Sequence, residues 1–142
     1  GQKYNHVEEA IGYLRSHLEE MHPIDIIVSF SQGSTMVSLM LSAIHREGAV
    51  APWRLSVFFS GGYPRDPGYV TAAPSSHPTI RVWGGDKDFW HPGGEPSLQP
   101  LYTNLLELEH GDGHAFPTTA PRAGEIYATV AEEVRRYSHL SA

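Results

Sequence analysis

The sequence contains no cysteine among its 142 residues. Disulfide bonds, thiolate nucleophiles and zinc sites built on cysteine are therefore excluded together. Basic residues are also scarce, because 10 Lys and Arg stand against 16 Asp and Glu, which gives a formal net charge of -6. Nucleic-acid binding needs a basic face that contacts phosphates, so this balance argues against a nucleic-acid partner.

Long apolar runs are missing as well. No stretch approaches the roughly 20 apolar residues of a membrane-spanning helix, and the N-terminus lacks the basic-then-apolar layout of a signal peptide. We therefore expect a cytoplasmic protein with no membrane span. Hydrophobic residues make up 40% and charged residues 18%, a normal globular balance. With no internal repeat or linker, residues 1–142 are expected to form a single domain.

The most informative stretch, residues 23–48, predicts a buried strand, a tight turn and a helix. Residues 24–30 are rich in apolar β-branched side chains, which is typical of a parallel strand covered on both faces. The turn carries Ser31 within the sequence Ser-Phe-Ser-Gln-Gly, and a long apolar-rich segment follows. This is the order of a nucleophile elbow, in which a sharp turn lifts a serine hydroxyl clear of the sheet. Ser31 is therefore the candidate nucleophile, with an ordinary serine between a strand and a helix as the alternative.

The remaining elements alternate along the chain. Further strands are predicted at 55–59, 79–83 and 105–108, amphipathic helices at 7–21 and 122–137, and a helix that is apolar on most sides at 32–47. Asn5 and Glu8 predict a capping arrangement at the start of the first helix. The alternation predicts an α/β fold, a three-layer sandwich with a mainly parallel sheet of about four strands.

Polar residues that suit hydrolytic chemistry follow the ends of these strands. Ser31 follows the first strand, Asp86 and Asp88 follow the third, and His110 and His114 follow the fourth. Loops at the carboxyl ends of parallel strands meet at one edge of the sheet. A serine hydroxyl needs an imidazole to take its proton, and the imidazole needs a carboxylate to orient it. The order serine, acid, histidine is that of α/β-hydrolases.

The turn chemistry separates the two acids and the two histidines. Asp86 directly follows a Gly-Gly pair, where an aspartate commonly braces a loop, whereas Asp88 has more freedom to reach a histidine. His110 adjoins the strand end, and His114 lies deeper in the glycine-rich loop. We therefore favour Asp88 and His114 as the orienting acid and the base.

A metal site is a weaker interpretation of the same residues. His110 and His114 have the His-x-x-x-His spacing of a zinc site, and Asp86 could complete a metal-dependent hydrolase. That spacing aligns two rings only on a helix, and the glycines at 111 and 113 preclude a stable helix there. We therefore expect neither a metal nor another cofactor.

Four blocks of the sequence carry a resemblance. They are Ile27–Gly33, Phe58–Pro64, Val82–Asp88 and His110–Pro117. Together they resemble the fungal-type serine hydrolase (FSH) family of α/β-hydrolases, over nearly the whole chain. The resemblance implies a carboxylesterase or a thioesterase-like enzyme that releases acyl chains from carrier proteins. It assigns triad roles to Ser31, Asp88 and His114, and an oxyanion-hole N–H to Gln32.

The sequence departs from the family pattern in three ways. Ser29 and Asp112 stand where glycine is usual. Members of the family also begin with strands and a His-Gly loop upstream of the first helix found here, and that loop donates the second oxyanion N–H. Without them, the strand at 24–30 would be a long apolar edge, which natural proteins avoid. We therefore expect the C-terminal portion of an α/β-hydrolase, with another polypeptide segment or chain completing the sheet.

The predicted function is hydrolysis of a carboxylic ester or thioester through an acyl intermediate on Ser31. The alternative is a catalytically idle hydrolase fold that binds a small ligand or another chain. Aromatic loop residues would suit an acyl pocket, although structural packing explains each of them equally well. They are Tyr63, Tyr69, Phe89, Trp90 and Phe116.

Overall fold

A computed structural model describes residues 3–69, 73–88 and 96–138 of the chain. Its helices and strands are, in chain order, α1 (Val7–Glu20), β1 (Ile26–Phe30), α2 (Gln32–Arg46), β2 (Leu55–Phe59), β3 (Thr79–Trp83), β4 (Leu105–Glu109) and α3 (Arg122–Tyr137). Short 3₁₀ turns cover Pro67–Tyr69 and Gly85–Lys87.

The strands form one parallel sheet in the order β1-β2-β3-β4. The predicted α/β fold with a four-stranded parallel sheet is thereby confirmed. Because all four strands run in the same direction, their carboxyl ends lie at one edge of the sheet. The loops that leave β1, β3 and β4 therefore all begin at this edge.

The helices cover the sheet on both faces, which gives the predicted three layers. α1 and α2 pack on one face with a core that includes Met40 and Phe58. α3 packs on the other face, where its Ile126 shares a core with Val57. These four side chains are fully buried. Side chains alternate between faces along a strand, so neighbouring residues of β2 serve different cores. Each such apolar side chain contributes about 1.5–3 kcal/mol relative to exposure.

The first helix forms because its apolar residues fall on one side. Val7, Ile11 and Leu18 are buried against the α2 side of the sheet. The predicted capping arrangement is wrong, because the N-cap residue is His6, in a left-handed conformation with φ 58° and no side-chain cap bond. Burial of the apolar face, rather than a side-chain cap, stabilises this helix.

Membrane crossing requires a long apolar helix. Within the described part of the chain, none of the helices combines the necessary length and apolar character.

β1 lies at the edge of the described sheet, since it pairs with β2 alone. The N–H of Ser31, just after β1, donates to the carbonyl oxygen of Phe59 in β2 (2.8 Å). Successive residues of a strand direct their backbone groups to opposite sides, so the even-numbered residues of β1 point away from β2. These residues are Ile26, Val28 and Phe30. The side chain of Val28 is 57% exposed.

Candidate active site

Ser31 occupies a sharp turn between β1 and α2. Its backbone has φ 55° and ψ -122°, a region that costs a residue other than glycine of order 1–3 kcal/mol. Hydrogen bonds on both sides hold this conformation. The Ser31 N–H donates to Phe59 in β2, and the Ser31 carbonyl accepts from the N–H of Ser34 (3.0 Å). The tight turn predicted for this serine is therefore present, and it lifts the hydroxyl clear of the sheet.

Small residues allow the chain to pack around this turn. A Cβ at Gly61 would overlap the carbonyl oxygen of Ser31, so only glycine fits there. A Cβ at Gly33 would lie 3.9 Å from that of Ser29. The hydroxyl of Ser29 donates to Ser34 Oγ (3.0 Å). The serine that replaces the usual glycine at position 29 is thus accommodated.

The structure brings together the three side chains that the sequence favours. Ser31 Oγ lies 2.8 Å from His114 Nε2. On the other side of the ring, His114 Nδ1 lies 3.0 Å from both carboxylate oxygens of Asp88. A carboxylate accepts hydrogen bonds, so Nδ1 carries the ring proton and Nε2 is left to accept the proton of Ser31. Asp88 is 1% exposed.

The two competing residues lie elsewhere. Asp86 is exposed to solvent. His110 is buried, and its Nδ1 accepts the N–H of Asp112 (3.1 Å). Burial lowers the pKa of His110 below its ordinary value. Among the described residues, no group of three or more His, Asp or Glu side chains is arranged to hold a metal ion.

A helix N-terminus lies beside the Ser31 hydroxyl. Gln32 is the first residue of α2, and its N–H belongs to the first turn, whose N–H groups have no acceptor within the helix. Partial positive charge at this end of α2 favours an anion. The Gln32 N–H therefore remains the predicted donor to negative charge that develops next to Ser31.

An aromatic wall flanks the histidine. The ring centroid of Phe30 lies 5.3 Å from that of His114 and 4.9 Å from that of Phe116. Phe59 packs on Phe116 at 4.8 Å, and Phe116 remains 46% exposed. Phe30 was not predicted as a site residue. Its position directly before Ser31, at the end of an apolar strand, was the available signal.

The other aromatic candidates have different surroundings. Tyr63 is partly buried against the α2-side core. Tyr69 packs on the ring of Tyr4 at 5.8 Å and donates to Glu8 (3.3 Å), so it contacts the start of α1. The remaining candidates, Phe89 and Trp90, lie outside the described residues.

Comparison with known proteins gives one family. The family model described as "Serine hydrolase (FSH1)" matches residues 1–126. The chain is 29% identical to the human (Homo sapiens) protein named Esterase OVCA2 over 121 residues, which cover 82% of this chain and 53% of that protein. It is 25% identical to Esterase C25G4.2 of Caenorhabditis elegans over 134 residues, covering 91% of this chain and 61% of the relative.

A fungal protein is similar to the chain to a comparable degree. Esterase FPY3 of Fusarium mangiferae is 27% identical over 139 residues, which cover 88% of this chain and 63% of that protein. The chain thus spans about half to three fifths of the length of these curated relatives. No solved structure matches it significantly.

Proposed function

The chain belongs to the serine hydrolase (FSH1) family, and we propose that it carries the catalytic residues of an esterase. The single observation that supports this most strongly is the continuous hydrogen-bonded row from Ser31 through His114 to Asp88. Each contact lies within the range of a hydrogen bond, and the order of the groups is that of nucleophile, base and orienting acid. The similar proteins are all named esterases, which agrees with this function.

In the first half of the reaction, Ser31 Oγ attacks the acyl carbonyl carbon while His114 Nε2 takes the hydroxyl proton. The N–H of Gln32 donates to the oxyanion of the tetrahedral intermediate. When that intermediate collapses, the bond from the acyl carbon to the leaving oxygen or sulfur breaks. His114 then passes its proton to the departing alcohol or thiol, and the acyl group remains bound to Ser31.

In the second half, a water molecule replaces the leaving group. His114 removes a proton from this water as its oxygen attacks the acyl carbon of the acyl-Ser31 ester. Collapse of the second intermediate releases the carboxylic acid and returns the proton to Ser31 Oγ. In both halves Asp88 holds the ring in the tautomer that leaves Nε2 free, and it stabilises the imidazolium that forms.

The substrates are proposed to be small carboxylic esters or thioesters. The exposed face of Phe116, stacked on Phe30 beside His114, offers an apolar surface to an acyl chain. An ester and a thioester pass through the same acyl-Ser31 intermediate and differ in the leaving group. Hydrolysis rates on matched oxygen and sulfur esters with one acyl chain would distinguish them.

The sheet also requires a partner, which we propose to be a strand from another polypeptide segment or chain. A groove of about 850 Å³ runs along β1 and is lined by side chains of α1, β1 and α2, among them Tyr13, Val28 and Met36. It adjoins the outward backbone groups of β1, which need hydrogen-bond partners. A neighbouring strand would form hydrogen bonds with these backbone groups, whereas an acyl chain cannot.

The same segment would complete the oxyanion hole. Only one donor, the N–H of Gln32, is identified in the described residues. Loss of one donor from an oxyanion hole typically reduces the rate about 10²–10³-fold. The similar esterases extend well beyond the part that this chain matches. We therefore expect full activity only when the strand beside β1 is supplied.

Labelling with a fluorophosphonate tests the proposed function directly. This reagent reacts with an activated serine, so Ser31 should become labelled, with the adduct located by peptide mass spectrometry. Ser31→Ala and His114→Ala should abolish labelling, whereas Ser16→Ala, at an exposed serine of α1, should not change it. Absence of a label from the intact wild-type protein would instead favour the idle, ligand-binding fold.

A further inference from the structure

Asp112 lies two residues before His114, in the loop that joins β4 to α3. Its carboxylate accepts hydrogen bonds from the N–H of Thr118 (2.9 Å), the N–H of Thr119 (3.0 Å) and the hydroxyl of Thr119 (2.5 Å). These bonds, that of the Thr119 hydroxyl foremost, lower the pKa of Asp112 to about 2. The carboxylate is therefore ionised in the folded protein at neutral pH.

The backbone of the same residue is fixed from the opposite side. The N–H of Asp112 donates to His110 Nδ1 (3.1 Å), and the N–H of His110 donates to the carbonyl of Trp83 (2.8 Å). His110 thus continues the pairing of β4 with β3 beyond the strand end. At the base of the loop, Arg122 Nε donates to the carbonyl of Glu109 (2.8 Å).

Glycine makes this loop intrinsically flexible. Gly111 and Gly113 flank Asp112, and Gly113 adopts φ 73°, a conformation that glycine enters freely. Asp112 itself does not have a positive φ, so nothing in the backbone requires a glycine there. A loop with two glycines needs added contacts if it is to hold one geometry.

From these contacts we propose that Asp112 is a positioning residue for His114. Its carboxylate ties the loop to Thr118 and Thr119, shortly before α3 begins at Arg122, and so keeps the imidazole between Ser31 and Asp88. We call the hydrogen bonds from Thr118 and Thr119 to the Asp112 carboxylate the clamp. This inference rests on the proposed function, because it gives the clamp a role in a reaction at Ser31.

Kinetics on the intact protein give the first test. Asp112→Ala removes all three acceptor contacts and should slow fluorophosphonate labelling of Ser31 about 10- to 100-fold, as small displacements of catalytic groups do. With an ester substrate, kcat should fall while KM changes little, because the loop positions the base. Asp112→Asn retains one acceptor oxygen and should be intermediate. Glu132→Ala, which removes an exposed carboxylate of α3, should stay within about twofold of wild type.

The resonance of the proton on His114 Nδ1 gives a second readout that needs no turnover. This proton is hydrogen-bonded to Asp88, so we expect a downfield proton signal in wild type that Asp112→Ala shifts or broadens. Thr119→Val removes the hydroxyl donor and leaves both N–H donors in place. Thr119→Val should change the labelling rate and the His114 resonance in the same direction as Asp112→Ala, but by a smaller amount. This variant also provides the test if Asp112→Ala does not fold.

The outcomes separate the two proposals. An unlabelled wild-type protein would overturn the proposed function, whereas a His114 resonance that depends on Asp112 would still support the clamp. Normal labelling and an unchanged resonance in both Asp112→Ala and Thr119→Val would overturn the clamp. A lower melting temperature with unchanged kcat and resonance would overturn it too, since that is the signature of a merely structural contact.

Discussion

Gly84 and Gly113 lie in direct backbone contact, so closely that a Cβ built on Gly84 would overlap the carbonyl oxygen of Gly113. Gly84 begins the loop that carries Asp88, and Gly113 precedes His114. The contact therefore joins the loop of the acid to the loop of the base. This contact of backbone with backbone, with no side chain between, sets the distance between the two loops.

Gly84→Ala should consequently separate the two loops. Overpacking of this kind typically costs about 1–3 kcal/mol in the free energy of unfolding, and the displacement should also lengthen the contact between His114 and Asp88. Gly111→Ala is the matched control, because a Cβ at Gly111 has no atom within 4 Å. Thermal melting and the rate of Ser31 labelling measure both effects. Equal behaviour of the two variants would show that the close contact does not position the acid.

The two aspartates of the same loop should differ sharply. Asp88→Asn places an amide beside His114 Nδ1 and disfavours the tautomer that leaves Nε2 free, so kcat should fall by about 10³–10⁴-fold with the fold intact. Asp86→Asn changes an exposed side chain and should leave kcat near that of wild type. Steady-state kinetics of both variants provide the measurement. The reverse pattern would transfer the orienting role to Asp86.

Stability should fall as the pH drops below the ordinary pKa of histidine. Burial, and secondarily the charge of His45, lower the pKa of His77 from 6.5 to about 4. The unfolded chain therefore takes up this proton at a higher pH than the folded chain does. The contribution of His77 is fully present above about pH 6.5 and is lost as the pH falls towards 4.

A substitution isolates this contribution. His77→Phe retains an aromatic ring against Trp53, which His77 contacts at 5.3 Å, but cannot titrate. Its free energy of unfolding should depend less on pH between 6.5 and 4 than that of wild type, as measured by urea denaturation. His110 still titrates in this variant, so some dependence should remain. A wild-type slope in His77→Phe would refute the assignment.

β1 lies at the edge of the sheet formed by the described residues, and this edge predicts self-association of the isolated chain. Val28→Lys places a charge on this edge, a device that natural sheets use against edge-to-edge pairing, and should reduce the associated fraction. Val50→Lys is the control, since Val50 is 89% exposed and lies outside the groove along β1. Sedimentation velocity at several concentrations measures the effect. Equal sedimentation of wild type and both variants as monomers would contradict the prediction.

Supplying the proposed partner strand of β1 should act on solubility and rate together. The segment that precedes this part in a longer family member, added in the same polypeptide or as a separate chain, should suppress association and raise hydrolysis of p-nitrophenyl esters. The expected increase is about 10²–10³-fold, the usual effect of one oxyanion donor. A 142-residue chain that is monomeric and already fully active would show that β1 needs no further partner.

Much of the fold follows from patterns that are local in the sequence. The strand at 79–83 and the helix at 122–137 were predicted with the observed limits, because apolar spacing and nearby glycine or proline mark their ends. The first strand was predicted to begin two residues too early, at 24 rather than at Ile26. The reason is that the apolar run begins before the residues that pair with β2. The cap at Asn5 failed because burial outweighed a weak local signal.

The sequence by itself determined the order of the elements and the small set of residues that can perform hydrolysis, since periodicity, turn residues and side-chain chemistry are properties of short segments. Turn chemistry favoured Asp88 over Asp86 and His114 over His110, but only the tertiary structure shows that Asp88 faces His114 and that His114 faces Ser31. The same holds for the contacts of Asp112 with Thr118 and Thr119. These choices depend on strand register and on glycine contacts between loops far apart in the chain, and no local pattern encodes such distances.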